Sequence, residues 1–152
     1  MLSFERTPMT ISAILISPFE SDHHVMRQVF THSNWSLHCV GNCEEALRLI
    51  SDHSIPVVIC STDMQADWRT ILHATSAEPN PPRVIVFSRL ADERLWADVM
   101  HNGAYTLLDS PFDVRDIVTS VSLAWHSWYH ECRQKKAAAA APVTRELAAV
   151  AS

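Results

Sequence analysis

From Arg83 to Phe112 the chain reads Arg-Val-Ile-Val-Phe-Ser, then Arg-Leu-Ala-Asp-Glu-Arg-Leu-Trp-Ala-Asp-Val-Met, then His-Asn-Gly-Ala-Tyr-Thr-Leu-Leu-Asp-Ser-Pro-Phe. Val84 to Phe87 is a short, continuous run of β-branched and aromatic residues, the pattern of a central strand covered on both faces. Leu95 with Val99 and Trp96 with Met100 recur one helical turn apart, which predicts an apolar helical stripe. Tyr105 to Leu108 reads as a second, weaker strand. Working outward, Ile11 to Ile16, Leu37 to Val40 and Val57 to Cys60 are further strand-like runs, and Val25, Met26, Val29 and Phe30 form another helical stripe. Asn42 with Glu45, and Asp113 with Asp116, mark helix starts. Five strand and helix repeats in alternation predict a parallel sheet with right-handed crossovers and helices on both faces. Functional groups of such folds collect at the carboxyl ends of the strands, and Ser17-Pro18, Ser61, Ser88 and Ser110 stand at four of them.

With 152 residues and 47% hydrophobic content, the chain has the size of one ordinary domain with tails. A net charge of -5 argues against nucleic-acid binding by this chain alone, because phosphate contacts need clustered Lys and Arg. The longest uncharged apolar run, Ile55 to Cys60, is too short to span a bilayer, and the first residues lack a basic stretch leading into an apolar one. A cytoplasmic protein is expected. Cys39, Cys43, Cys60 and Cys132 lack the paired spacing of zinc or redox motifs and read as free thiols that pack as small hydrophobes. Only two glycines, Gly41 and Gly103, are present, which excludes a glycine-rich phosphate loop or a nucleophile elbow. His126, His130 and Cys132 do not make a metal site on spacing alone, since a fourth ligand is missing. His23-His24 is expected on an exposed first helical turn.

The stretch from about Ile11 to Trp125 resembles the receiver domain of two-component response regulators. The likeness rests on Ser88 after the fourth strand, Gly103-Ala104 after the fourth helix, Pro111-Phe112 after the fifth strand, and Asn42-Cys43-Glu44-Glu45-Ala46-Leu47 at the second helix. It implies a flavodoxin-like (CheY-like) α/β three-layer sandwich, with a five-stranded parallel sheet in order 2-1-3-4-5 and five helices. It also implies a place in two-component or phosphorelay signalling, with no enzymatic activity of its own. In the family, an acidic pair after the first strand holds magnesium, an Asp ends the third strand as phosphoacceptor, and a Lys precedes Pro-Phe. Those positions here are Ser17 and Pro18, Ser61, and Ser110. The aromatic switch position is Leu107, and Pro111 is the candidate for a cis peptide bond. The resemblance therefore points to a degenerate pseudo-receiver.

Phosphoryl transfer to a carboxylate needs a nucleophile, a divalent cation and a fixed positive group. Magnesium prefers carboxylate and water ligands, which hydroxyls and a proline do not replace. No cofactor and no Mg²⁺ are expected, and Ser17, Ser61, Ser88 and Ser110 are expected to close a neutral pocket on mutual hydrogen bonds. Glu20, Asp22, Asp63 and Asp109 read as solvated charges or caps. Two alternatives stay open: a true phosphoacceptor using Asp63, which would also be the weak metal candidate, or a small-ligand sensor in the neutral pocket.

What remains is recognition of a protein partner or a second copy through the fourth helix, fifth strand and fifth helix. Ile117, Val121 and Ala124 are expected to pack on the sheet. Trp125 and Trp128, near or beyond the usual end of the last helix, are expected to be exposed, with Leu90, Leu95, Trp96 and Leu107 joining the same face. Residues 1–9 read as an N-terminal extension, 10–130 as the receiver-like domain, and 131–152 as an Ala-rich tail or linker stub. In that tail Pro142 should stop any helix continuing through Lys136.

Overall fold

The computed structural model describes residues 11–63, 68–109 and 112–140. The elements alternate strictly: β1 (Ser12–Ile16), α1 (Glu20–His32), β2 (Ser36–Val40), α2 (Cys43–Asp52), β3 (Val57–Ser61), α3 (Trp68–Thr75), β4 (Arg83–Ser88), α4 (Glu93–His101), β5 (Thr106–Asp109) and α5 (Val114–Ala140). All strands are parallel, in the order β2-β1-β3-β4-β5. Five helices flank the sheet, giving the flavodoxin-like, CheY-like architecture expected from the strand and helix alternation.

The three central strands explain why their sequences are apolar without alternation. Side chains of a strand point alternately to the two faces. Ala13, Leu15, Val57, Ile59, Ile85 and Phe87 pack with Met26, Phe30, Ile117, Val121 and Ala124 under α1 and α5. Ile14, Ile16, Val58, Cys60, Val84 and Val86 enter a second core with Ala46, Ile50, Ile71 and Val99, from α2, α3 and α4. β3 is buried throughout and β1 and β4 from their second residue on, so polar side chains stand only at the strand starts, Ser12 and Arg83, and at the ends, Ser61 and Ser88.

Local chemistry sets the boundaries. Asn42 caps α2 by accepting from the Glu45 backbone N–H at 2.8 Å, as its spacing predicts. Asp92 does the same for α4 through Leu95. Gly103 follows α4 with φ of 94°, a backbone angle that a side chain disfavours. Asn34 takes φ of 61° in the tight turn between α1 and β2, which asparagine tolerates better than most residues. Cys43 and Cys60 are buried, and Cys39 and Cys132 are half-buried.

α5 passes through residue 130 without a break and is pinned to the loop before β4. The Arg83 guanidinium donates to the Ser127 hydroxyl at 3.0 Å and to the Glu131 carboxylate. The Trp128 indole N–H donates to the Asn80 carbonyl at 3.3 Å, and the Lys135 ammonium donates to the Pro79 carbonyl at 2.8 Å. The Lys135 ammonium also lies 3.0 Å from the Glu131 carboxylate, and hydrogen bonds from Arg83 and Lys135 hold that carboxyl below its ordinary range. Among the described residues no helix is long and apolar enough to cross a membrane.

Candidate functional site at the carboxyl edge of the sheet

Ser17 follows β1, Ser61 ends β3 and Ser88 ends β4, and all three are buried. Because β1, β3 and β4 are neighbours in the sheet, the three serines share one edge. Ser110 and Pro111, the fourth pocket position and the cis-proline candidate, lie outside the described residues. The expected mutual hydrogen bonds among Ser17, Ser61 and Ser88 do not form. Instead each hydroxyl accepts from the backbone N–H two residues later: Phe19 onto Ser17 at 3.1 Å, Asp63 onto Ser61 at 2.9 Å, and Leu90 onto Ser88 at 3.0 Å. These are serine turns, which bend the chain out of each strand into its loop.

The pocket is also not neutral, which corrects the sequence-based reading. Asp22, in the first turn of α1, has a side chain only 5% exposed and accepts from the Ser17 hydroxyl at 2.6 Å. Arg89, immediately after β4, reaches Asp22 at 3.6 Å and donates to Asp63 at 2.8 Å. One guanidinium thus bridges two carboxylates carried by α1 and by the loop after β3. Its Cζ also lies 4.6 Å from the Phe19 ring centroid, a cation–π contact. Asp63 completes the ring with a 3.4 Å contact from the Ser61 hydroxyl. His23, expected to be exposed, is buried instead, with Nε2 2.9 Å from the Ser17 carbonyl. Glu20 and Asp109 are exposed, as expected.

A buried carboxylate is stable only when paired and hydrogen-bonded, and Asp22 has both kinds of partner. The positive group that balances it is a guanidinium whose planar fork can serve two acceptors at once. These donors do not fit a magnesium site. Pro18 offers no side-chain oxygen, the cation already between Asp22 and Asp63 is Arg89, and no cluster of three or more metal-ligating side chains exists among the described residues.

Of the apolar residues expected on a partner face, fewer are exposed than the sequence suggests. Leu90 is 82% exposed and Trp96 53%, whereas Leu95 and Leu107 are half-buried against the core below α4. Trp96 and Met100 therefore form the outer stripe of α4, with Val99 alone fully buried from that helix. Trp125 is buried, not exposed: α5 continues past it, and its indole stacks on Tyr129 at 4.9 Å while packing into the core under α1. Trp128 is half-buried on the loop before β4. A cleft of about 780 Å³ lies elsewhere, between α1 and the start of α5.

Neither a protein-family model nor a curated protein sequence matches the chain. Solved structures do. The signal receiver domain of an HD domain-containing protein from Pseudomonas fluorescens Pf-5 superposes with a TM-score of 0.71 at 19% identity, covering 80% of this chain and 99% of that one. The fold is that of receiver domains. The signal receiver domain of a LuxO-type repressor protein from Vibrio parahaemolyticus gives 0.74 at 17% identity, covering 81% and 95%. The receiver domain of NtrC4, solved as a beryllofluoride-activated dimer, gives 0.70 at 18% identity, covering 77% and 98%. At these identities the likeness establishes the architecture, and the site must be read from its own residues.

Sequence reasoning missed Asp22 and Arg89. A signal for Asp22 was present, since it lies four residues before Met26 and seven before Val29, on the stripe of α1 that faces the core. Arg89 gave none, because its partners lie far away in sequence.

Proposed function

We propose that the chain is a receiver-like, cytoplasmic signalling module of the two-component or phosphorelay type that works without phosphorylation. On this reading it is not an enzyme, needs no Mg²⁺, and acts by binding a protein partner or a second copy through the face built from α4, β5 and α5. The observation that carries it is Arg89, which links Asp22 and Asp63 where a phosphoacceptor site would need an unoccupied carboxylate beside a divalent ion. Serines at 17, 61 and 88 supply turns, and supply neither a labile acyl phosphate nor ligands of negative charge.

A second reading is favoured by one observation. Asp63 has a side chain 40% exposed and lies 2.8 Å from a fixed cation, the arrangement of a nucleophile beside a charge stabiliser. Incubation with acetyl phosphate and magnesium, followed by intact mass measurement, separates the two. The proposed reading expects no phosphoryl gain, and no backbone NMR shift at Ser61 or Asp63 when beryllium fluoride and magnesium are added. A stoichiometric gain abolished by Asp63→Asn would establish the second reading instead. A small-ligand sensor has less support, because Ser17 and Ser61 are fully buried and Ser88 is 5% exposed, leaving a ligand no entry without opening the loops.

A further inference from the structure

Between α4 and β5 lies a cleft of about 300 Å³ whose chemistry is uneven. Its apolar part is Trp96, 53% exposed, together with the half-buried Leu107. Its polar part is three carboxylates, Asp92, Glu93 and Asp109, and among the described residues no Lys or Arg lines it. Leu90, 82% exposed, extends the apolar surface from the turn before α4. Arg89, the cation next to that turn in sequence, is committed to Asp22 and Asp63.

We infer that this cleft docks a cationic, amphipathic segment of a partner protein, with an Arg or Lys against the carboxylates and an apolar side chain against Trp96. This deepens the interaction-module reading and rests on it. Two physical arguments select that occupant over a second copy. A two-fold interface centred on the cleft would bring the same patch of each copy together, and with it three carboxylates against three. Like charges in a desolvating contact oppose association, whereas a cation neutralises the rim as water leaves. An indole flanked by carboxylates also suits a guanidinium, which can stack on the ring while it donates to the acids. Asp92 accepts the Leu95 N–H through Oδ1 as the cap of α4 and also lines the cleft, and an ionised carboxylate has a second oxygen with which to accept.

The test uses the full chain labelled with 5-fluorotryptophan, without any phosphodonor. The Trp96 ¹⁹F resonance is assigned by Trp96→Phe, and two designed peptides are titrated: an amphipathic leucine–arginine helix and its leucine–glutamate counterpart. The cationic peptide should move the Trp96 resonance saturably while leaving that of the buried Trp68 in place, and the acidic peptide should not bind. Asp92→Asn/Glu93→Gln/Asp109→Asn, which keeps a capping side chain on α4, should weaken the cationic peptide about tenfold or more with little change in thermal midpoint, and Trp96→Ala should do the same. Equal binding of both peptides, unchanged affinity in the triple variant, or a Trp96 resonance that never moves would overturn the inference. So would self-association by sedimentation that Trp96→Ala abolishes, because a second copy would then own the cleft. A phosphoryl gain in the acetyl phosphate experiment would overturn the module reading while leaving the titration result standing, so the two failures are distinguishable.

Discussion

Replacing Arg89 with methionine should cost the fold about 2 kcal/mol, most of it through Asp22. The methionine keeps an apolar stem over Phe19, so the change isolates the loss of charge and hydrogen bonding. Asp22 would keep the Ser17 hydroxyl but lose its cation while its side chain remains 5% exposed. Depriving a buried acceptor of a charged partner costs roughly 1–3 kcal/mol. Asp63 would lose the same partner, but at 40% exposure it regains water, so this arm adds only about 0.2–1 kcal/mol. Arg89 is itself 45% exposed, which keeps the total toward the lower part of these ranges. For a chain of this size that is a fall in thermal midpoint of roughly 4–8 °C. Urea denaturation followed by circular dichroism gives the free energy, and a double-mutant cycle with Asp22→Asn isolates the pair, for which about 1 kcal/mol of coupling is expected. The reasoning fails if Arg89→Met stays within about 0.5 kcal/mol of the parent, or if Asp63→Asn costs more than Arg89→Met, since the buried carboxylate would then not be what the guanidinium holds.

Three further outcomes are expected. Trp125→Ala should destabilise by about 3–5 kcal/mol in denaturant melts, the cost of emptying a large core site, whereas an interface tryptophan would change molar mass and leave stability nearly intact. Gly103→Ala should lose about 1 kcal/mol even though nothing crowds an added methyl group, because φ of 94° itself disfavours a side chain; an unchanged melt would mean that the turn relaxes. The Glu131 carboxyl is held below its ordinary value of 4.5 by Arg83 and Lys135, so its contribution is present above the unfolded value and disappears as pH falls through the folded one. Amide exchange in the last turns of α5 should therefore quicken as pH drops below 4.5 in the parent, and Glu131→Gln, already lacking the charge, should show no such step.

The fold was legible because it is written in local patterns. Val57 to Cys60 and Val84 to Phe87 are apolar at every position since both faces of the sheet are covered, and Asn42 lies three residues before the amide it caps. The site was legible only in part. Serines at strand ends announced themselves by position, but what they bond to was misjudged: a hydroxyl leaving a strand finds the amide two residues ahead sooner than another strand's hydroxyl. The charge balance could not be read, because Arg89 meets Asp22 and Asp63 across loops whose approach depends on the whole sheet. Trp125 was misjudged for a related reason. Its exposure depended on where α5 stops, and the pins from Arg83, Asn80 and Pro79 that keep the helix running are tertiary contacts.

A receiver fold with an ion bridge built from its own side chains has a consequence for regulation. A ligand or modification can shift a conformational equilibrium only by its differential affinity for the two states. In a phosphorylated site that difference is supplied from outside, by a phosphoryl group and its metal. Arg89, Asp22 and Asp63 are covalent parts of the chain and are present at all times, so on the proposed reading they bias the turn between β4 and α4 toward one arrangement permanently. Leu90 and Trp96, on that turn and the helix it starts, would then offer the same surface in every cellular state. Control would pass from covalent state to partner abundance, and occupancy would follow simple mass action. Arg89→Met supplies the check: it should alter partner or peptide affinity at the α4–β5 cleft if the bridge sets that surface, and leave affinity untouched if the turn holds its shape through the Leu90 and Ser88 hydrogen bond alone.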